Sequence, residues 1–342
     1  MSEGEAPSEK NRAFRFTTIK HYSLTRAPGI CFCLVLVLAS SYISEHYGIT
    51  QILGALLLGM AFNSISRYDE FAPGLDFCVK NILRFGVALL GVRITFSQIS
   101  ALGAKPLLVV CVVVVTTLLF SVLLAKLLKV DQARGIISGA AVGICGVSAA
   151  LAIASVIQSN KDTEKHLLCT LIGVTGMSTI CMILYPGILV SLSLSTEQMG
   201  LFLGASIHDV AQVFGAGDMI SPEVAQLATY TKMLRVAMLV PTVMVLAFLC
   251  RSRTVSQSRF KRILPPFLIA FVGFVVLANM HIVPAQAISA ASELSQVCLW
   301  IAMAALGAKT NLVELWQVGK NTFILLLLNT CFVAGVSILL VS

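Results

Sequence analysis

Gly139-Ala140-Ala141-Val142-Gly143-Ile144-Cys145-Gly146-Val147-Ser148-Ala149-Ala150 stands in the middle of an apolar run, residues 134–158. A run of that length and polarity reads as a membrane span, because a helix needs about 20 mostly apolar residues to cross the hydrocarbon core. Three glycines and a serine in its middle weaken that helix and let other backbones approach. The stretch therefore predicts a discontinuous helix. Its unwound turn would expose backbone amides around Gly143, Cys145 and Gly146, and the helix restarting near Ser148 would aim a positive dipole end at an anion. An unbroken helix packed closely through its small residues is the competing reading.

The rest of the chain sits in the same solvent. Of 342 residues 57% are hydrophobic and 12% charged, with a mean hydropathy of +0.91. A water-exposed surface calls for roughly twice that charge. Further spans are predicted near 28–45, 49–64, 76–95, 104–126, 166–192, 198–216, 223–250, 264–280, 286–308 and 321–341. The expected architecture is an all-α polytopic membrane protein of about 11 helices, some of them discontinuous. Residues 1–27 read as a cytoplasmic N-terminal tail and 28–342 as a single transmembrane domain. The ten cysteines lie mostly in apolar runs and read as small hydrophobes rather than disulfides or metal ligands.

Lys and Arg set the orientation. With the N-terminus inside and the C-terminus outside, the inner segments hold most of the basic residues, including Arg251, Arg253, Arg259, Lys261 and Arg262. Arg93, Lys105, Lys161 and Lys165 would face outward. The net charge of +8 is thus a topological signal and implies no nucleic acid. Two weak internal repeats appear. Ala88-Leu89-Leu90-Gly91-Val92-Arg93 resembles Ala304-Ala305-Leu306-Gly307-Ala308-Lys309 at an offset of 216, with Asn63 on Asn279 and Gly103 on Gly319. Leu83-Arg84 resembles Leu234-Arg235 at an offset of 151. Either relates its halves by inverted topology, the usual construction of secondary transporters. The second suggests inverted five-helix repeats after one extra helix.

Polar groups inside the spans are costly and mark function by default. The run 204–217 contains Ser206, His208, Asp209 and Gln212. On one continuous helix His208 and Gln212 share a face and Asp209 lies about 100° away. Asp209 is a candidate to carry a coupling proton or cation, and His208 to bind substrate or relay a proton. An ion pair from Asp209 to Arg235 or Lys232 is the structural alternative. The remaining intramembrane charges, Lys80, Arg84, Lys232 and Arg235, outnumber the carboxylates Asp76, Asp209 and Glu293. Buried cations need partners, so an anionic substrate would resolve the surplus, with Arg84 and Arg235 ranking above the two lysines. Glu293 and Gln296 are as readily structural as functional. No P-loop, Rossmann fingerprint, Gly-x-Ser-x-Gly or His-Glu-x-x-His occurs, so no enzyme is indicated.

Three segments together, Gly143–Ala150, Ser206–Val213 and Thr231-Lys232-Met233-Leu234-Arg235, resemble the YeiH-type sulfate exporter family, and Leu83–Arg93 fits as well. The likeness runs from about residue 25 to the end. Family members more often carry Glu where Asp209 stands. The resemblance implies a bacterial inner-membrane secondary transporter, distantly like bile-acid symporters and cation/proton antiporters, exporting sulfate or a related sulfur oxyanion or sulfonate. The expected site joins Gly143, Cys145, Gly146, Ser148, Ser206, His208, Gln212, Lys232, Arg235 and Arg84 around the substrate, with Asp209 and His208 as coupling groups. One helix group would rock against the other. The expected partners are a small anion and the lipid bilayer, with a homodimer as the assembly to test. No cofactor or metal is expected beyond a coupling H⁺ or Na⁺. The rival functions are a cation/proton antiporter working through Asp209, and a membrane scaffold or receptor that transports nothing.

Overall fold

The computed structural model describes residues 25–157, 161–249, 265–280, 283–311 and 319–342. The tail at 1–24 and the basic cluster Arg251–Arg262 lie outside them. All regular structure among the described residues is helical. In chain order it comprises α1 Ala27–Tyr47, α2 Gln51–Ala61, α3 Ala72–Arg93, α4 Phe96–Leu102, α5 Lys105–Leu127, α6 Gln132–Ala140, α7 Val147–Ala154 and α8 Lys161–Ser191. There follow α9 Thr196–Ser206, α10 Val210–Asp218, α11 Pro222–Ala237, α12 Leu239–Leu249, α13 Pro266–Asn279, α14 Ala285–Lys309 and α15 Lys320–Val341. Six stretches are long and apolar enough to cross a membrane: α1, α5, residues 165–191 of α8, α11 with α12, α14 and α15. The bent pair α3 and α4, which meet at 82°, makes a seventh. The shorter α2 and α13 are also apolar.

The described residues divide into two compact units, one within 25–83 and 300–309, the other drawn from 84–299 and 310–342. In the first, Gly307 lets α14 lie against the backbone of α2, where a Cβ would meet Leu56 O and stand 3.0 Å from Met60 N. Asn63 Nδ2 donates to Ala308 O at 3.3 Å. Lys309 and Lys80 both pair with Asp76, Lys80 at 3.0 Å. In the second, Gly91 lets α3 lie against α13, where a Cβ would meet Phe271 O and stand 3.2 Å from Val275 N. Asn279 Nδ2 donates to Ile94 O at 2.8 Å. Residues 216 apart thus do matching work, and Gly103 and Gly319 both take positive φ before a helix, at 57° and 81°. The offset of 151 finds no such match: Arg84 is exposed and Arg235 is buried.

Two segments expected to cross turn back instead. The run 134–158 becomes α6, a π-helical turn Ala141–Cys145, a break at Gly146 and α7. His166, near the start of α8, contacts Arg134 O at 3.2 Å and Ser138 Oγ at 2.9 Å, both near the start of α6. Farther along α8, Ser178 and Thr179 reach the residues 208–212 that lie near Gly146. Helices α6 and α8 therefore run side by side in the same direction, and α7 must return to the end where α6 began. The run 198–216 behaves alike. It splits into α9 and α10 around Ile207–Asp209, and Gly217 packs on Ala225 near the start of α11. Gly200 and Gly204 of α9 lie against Leu227 and Thr231 in the same order, so α9 and α11 are parallel and α10 comes back between their ends. The physical reason is shared: a polar or glycine-bearing turn frees the chain to reverse where an unbroken helix would carry on.

Candidate functional site

The tips of the two hairpins, 141–148 and 206–210, meet inside the second unit. Gly146 takes φ 65° and ψ −126°, a conformation open to glycine, and a Cβ there would stand 3.7 Å from His208 O. Each tip ends one helix and starts another. The ending helices α6 and α9 leave carbonyls without helical partners, the negative ends of their dipoles. Two cations from α11 take them. Lys232 Nζ donates to Ile144 O and Ile207 O, both at 2.8 Å. Arg235 Nε donates to Gly143 O at 2.6 Å, Nη1 to Ile207 O at 2.9 Å and Gly204 O at 3.5 Å, and Nη2 to Val142 O. Each cation bridges both hairpins. Both side chains are 0% exposed.

This corrects the expectation that Lys232 and Arg235 face an anion. Their N–H groups point at carbonyl oxygens, and the surplus of buried cations is resolved by two helix C-termini. Nor does an ion pair join either to Asp209 among the described residues. Arg84 is exposed on α3 and takes no part in the cluster. The other sequence candidates do converge here.

His208 is 0% exposed. Its Nδ1 faces Ser206 O at 3.2 Å and its Nε2 faces Thr330 Oγ1 of α15 at 2.9 Å. The carbonyl can only accept, so Nδ1 carries the proton, while Thr330 Oγ1, which itself donates to Leu326 O at 2.8 Å, holds the other side of the ring. His208 is thus a strut of the tip rather than a group open to substrate. Ser206 Oγ turns back to Phe202 O at 2.7 Å. Asp209 does not share a helix with His208 as the continuous-helix reading required. It caps α10, accepting from Ala211 N at 2.9 Å, and it stays half-buried. Gln212 Nε2 donates to Thr179 Oγ1 at 2.7 Å, while its buried Oε1 has no partner among the described residues.

The starting helix α7 is the open element. Its N-cap Gly146 offers no side-chain cap, so the first-turn amides of Val147, Ser148 and Ala149 find no helical acceptor. Ser148 is exposed, with its hydroxyl near Cys145 Sγ at 2.9 Å and Cys145 O at 3.2 Å. Sequence reasoning missed Ser178, whose Oγ accepts from the amides of both His208 and Asp209 at 3.3 and 3.1 Å. It also missed Thr179 and Thr330. Hydroxyls in membrane helices commonly bond their own backbone, so nothing in their spacing sets these three apart.

Two helices that end on buried cations and two that start beside them, one with an exposed Ser148, define a membrane protein built around broken helices. The chain belongs to the family described as conserved hypothetical protein 698, the YeiH-like UPF0324 membrane proteins, whose pattern it matches over residues 28–326. It is 41% identical over 310 residues to a UPF0324 membrane protein of Chlorobaculum tepidum, covering 90% of this chain and 87% of that one. It is 38% identical to the UPF0324 membrane protein TauZ of Paracoccus denitrificans, covering 90% and 92%, and 36% identical to a relative in Rhizobium meliloti, covering 91% of each. No solved structure matches the chain.

Proposed function

We propose that this protein is a secondary transporter that moves sulfate or a related small sulfur oxyanion or sulfonate. The observation that carries this is the first turn of α7, whose amides have no side-chain cap and whose Ser148 is exposed, at a tip whose negative helix ends are already occupied. A small oxyanion is the complement of such a turn. Asp209, half-buried at the start of α10, is the coupling group: taking up H⁺ or Na⁺ there offsets the repulsion between its carboxylate and the anion. The sulfur chemistry rests on the family resemblance.

The topology of this reading has nine crossings and two re-entrant hairpins. Eleven crossings lose two, so the N-terminus stays inside and the C-terminus outside. Lys161 and Lys165 move to the inner face, which leaves Arg93 and Lys105 as the outer cations and strengthens the inward bias. The helices at 51–127 and 266–341 form inverted repeats at the offset of 216, replacing the five-helix repeats of the sequence reading. The carrier belongs in the inner membrane.

Reconstitution in liposomes tests the function. Radiolabelled sulfate or a small sulfonate should move across the bilayer, with Ser148→Ala slowing it and Asp209→Asn abolishing its response to a pH or Na⁺ gradient. No movement of any sulfur oxyanion overturns the substrate class. Currents driven by Na⁺ or H⁺ alone, with no anion, would favour the antiporter.

A further inference from the structure

Beyond the hairpin tips, the matched helices of the two units differ at one place. In the first unit Lys309, at the end of α14, is neutralised by Asp76 near the start of α3. At the offset of 216 Lys309 corresponds to Arg93 and Asp76 to Ser292. The cation is kept and the carboxylate is replaced by a hydroxyl. Lys80, the second cation on Asp76, corresponds to Gln296. Where the first unit has an ion pair, the second has a cavity of about 450 Å³ lined by Arg93, Ser292, Ser289 and Gln226.

Arg93 forms no ion pair among the described residues. Asp218 and Glu223 lie within reach of its field without touching it. Ser289 Oγ donates to Glu293 Oε1 at 3.4 Å, and Glu293 does not line the cavity. Arg93 and Ser292 are half-buried, and Ser289 is exposed. A planar five-donor guanidinium beside hydroxyls, in a cavity with no carboxylate on its wall, suits an acceptor-rich anion.

We propose that this cavity is a second anion site on the outer face, taking a small oxyanion such as sulfate or the head group of a sulfonate. The anion occupies the place that a carboxylate fills in the matching unit. Arg93 binds it through its guanidinium, and Ser292 and the Gln226 amide donate to its remaining oxygens. The proposal rests on the repeat and the cavity, so it stands or falls apart from transport through the hairpins.

Calorimetric titration of the purified full-length protein with sulfate at low ionic strength tests it. Arg93→Gln should weaken one class of sulfate sites at least tenfold, the loss typical of a charge-assisted hydrogen-bonded contact, while Arg93→Lys keeps affinity within several-fold. Ser292→Asp restores the missing carboxylate. It should raise the melting temperature without ligand and abolish the same class of sites. Ser148→Ala, aimed at the hairpin tip, should leave that class intact. Unchanged sulfate binding in both Arg93→Gln and Ser292→Asp overturns the proposal, as does a parent protein that binds no sulfate. Loss of the class in Ser148→Ala alone would return the anion to the hairpins.

Discussion

Replacing Arg235 separates a structural cation from a substrate-binding one. Arg235→Met keeps much of the buried apolar stem and removes every donor. The carbonyls of Val142 and Gly143 then lose their partner in a site with no water contact, and Ile207 O keeps only Lys232. Each charge-assisted bond is worth about 1.5–3 kcal/mol, but the desolvation of the guanidinium offsets part of that sum. Removing one partner from a buried charged network costs about 3–5 kcal/mol net. For a chain of this size the melting temperature should fall by roughly 5–10 °C. Lys232→Met breaks two bonds and should cost about 2–3 kcal/mol. Both cations share Ile207 O, so only the double variant leaves that buried carbonyl unpaired, and it should lose more than the two single losses together. Arg235→Lys keeps the charge but not the fork that reaches both hairpins, and should recover only part of the loss. The assay is thermal unfolding in detergent, followed by size-exclusion recovery. An Arg235→Met protein that melts with the parent yet no longer binds sulfate would refute the reasoning and put the guanidinium on the substrate.

Three further outcomes follow from the same geometry. Gly146→Ala meets no steric block, since its Cβ would stand 3.7 Å from His208 O, but φ 65° with ψ −126° should cost about 1–3 kcal/mol; Gly103→Ala, at φ 57° with open space around it, should lose similar stability and keep transport, read by melting and liposome flux. In a cysteine-free background, cysteines at Asp131 and Ile157 should label from the same side of the membrane with an impermeant maleimide, because α6 and α7 form a hairpin; labelling from opposite sides would restore a crossing helix. A cysteine at the exposed Ser148 should react readily with a thiol reagent and be protected by sulfate, while native Cys145, buried in the same turn, should react slowly.

The apolar runs alone determined that the chain belongs in a bilayer, and their lengths placed the long helices within a few residues. The glycines of 139–146 marked a break, and the matches of Asn63 with Asn279 and Gly103 with Gly319 pointed to positions that make similar contacts. Those features are local or depend on spacing, and a sequence displays both. Whether a broken helix crosses or turns back depends on which distant segment lies beside it, and only His166 against Arg134 and Ser138 decided that. The same holds for the charges. Composition counted four cations against three carboxylates and inferred an anion. It could not count backbone carbonyls as partners, because helix ends become acceptors only once tertiary packing brings two of them to one lysine and one arginine. That packing turned Lys232 and Arg235 into struts of the tips. It left the start of α7 open, and it set Arg93 beside a serine where its counterpart has an aspartate.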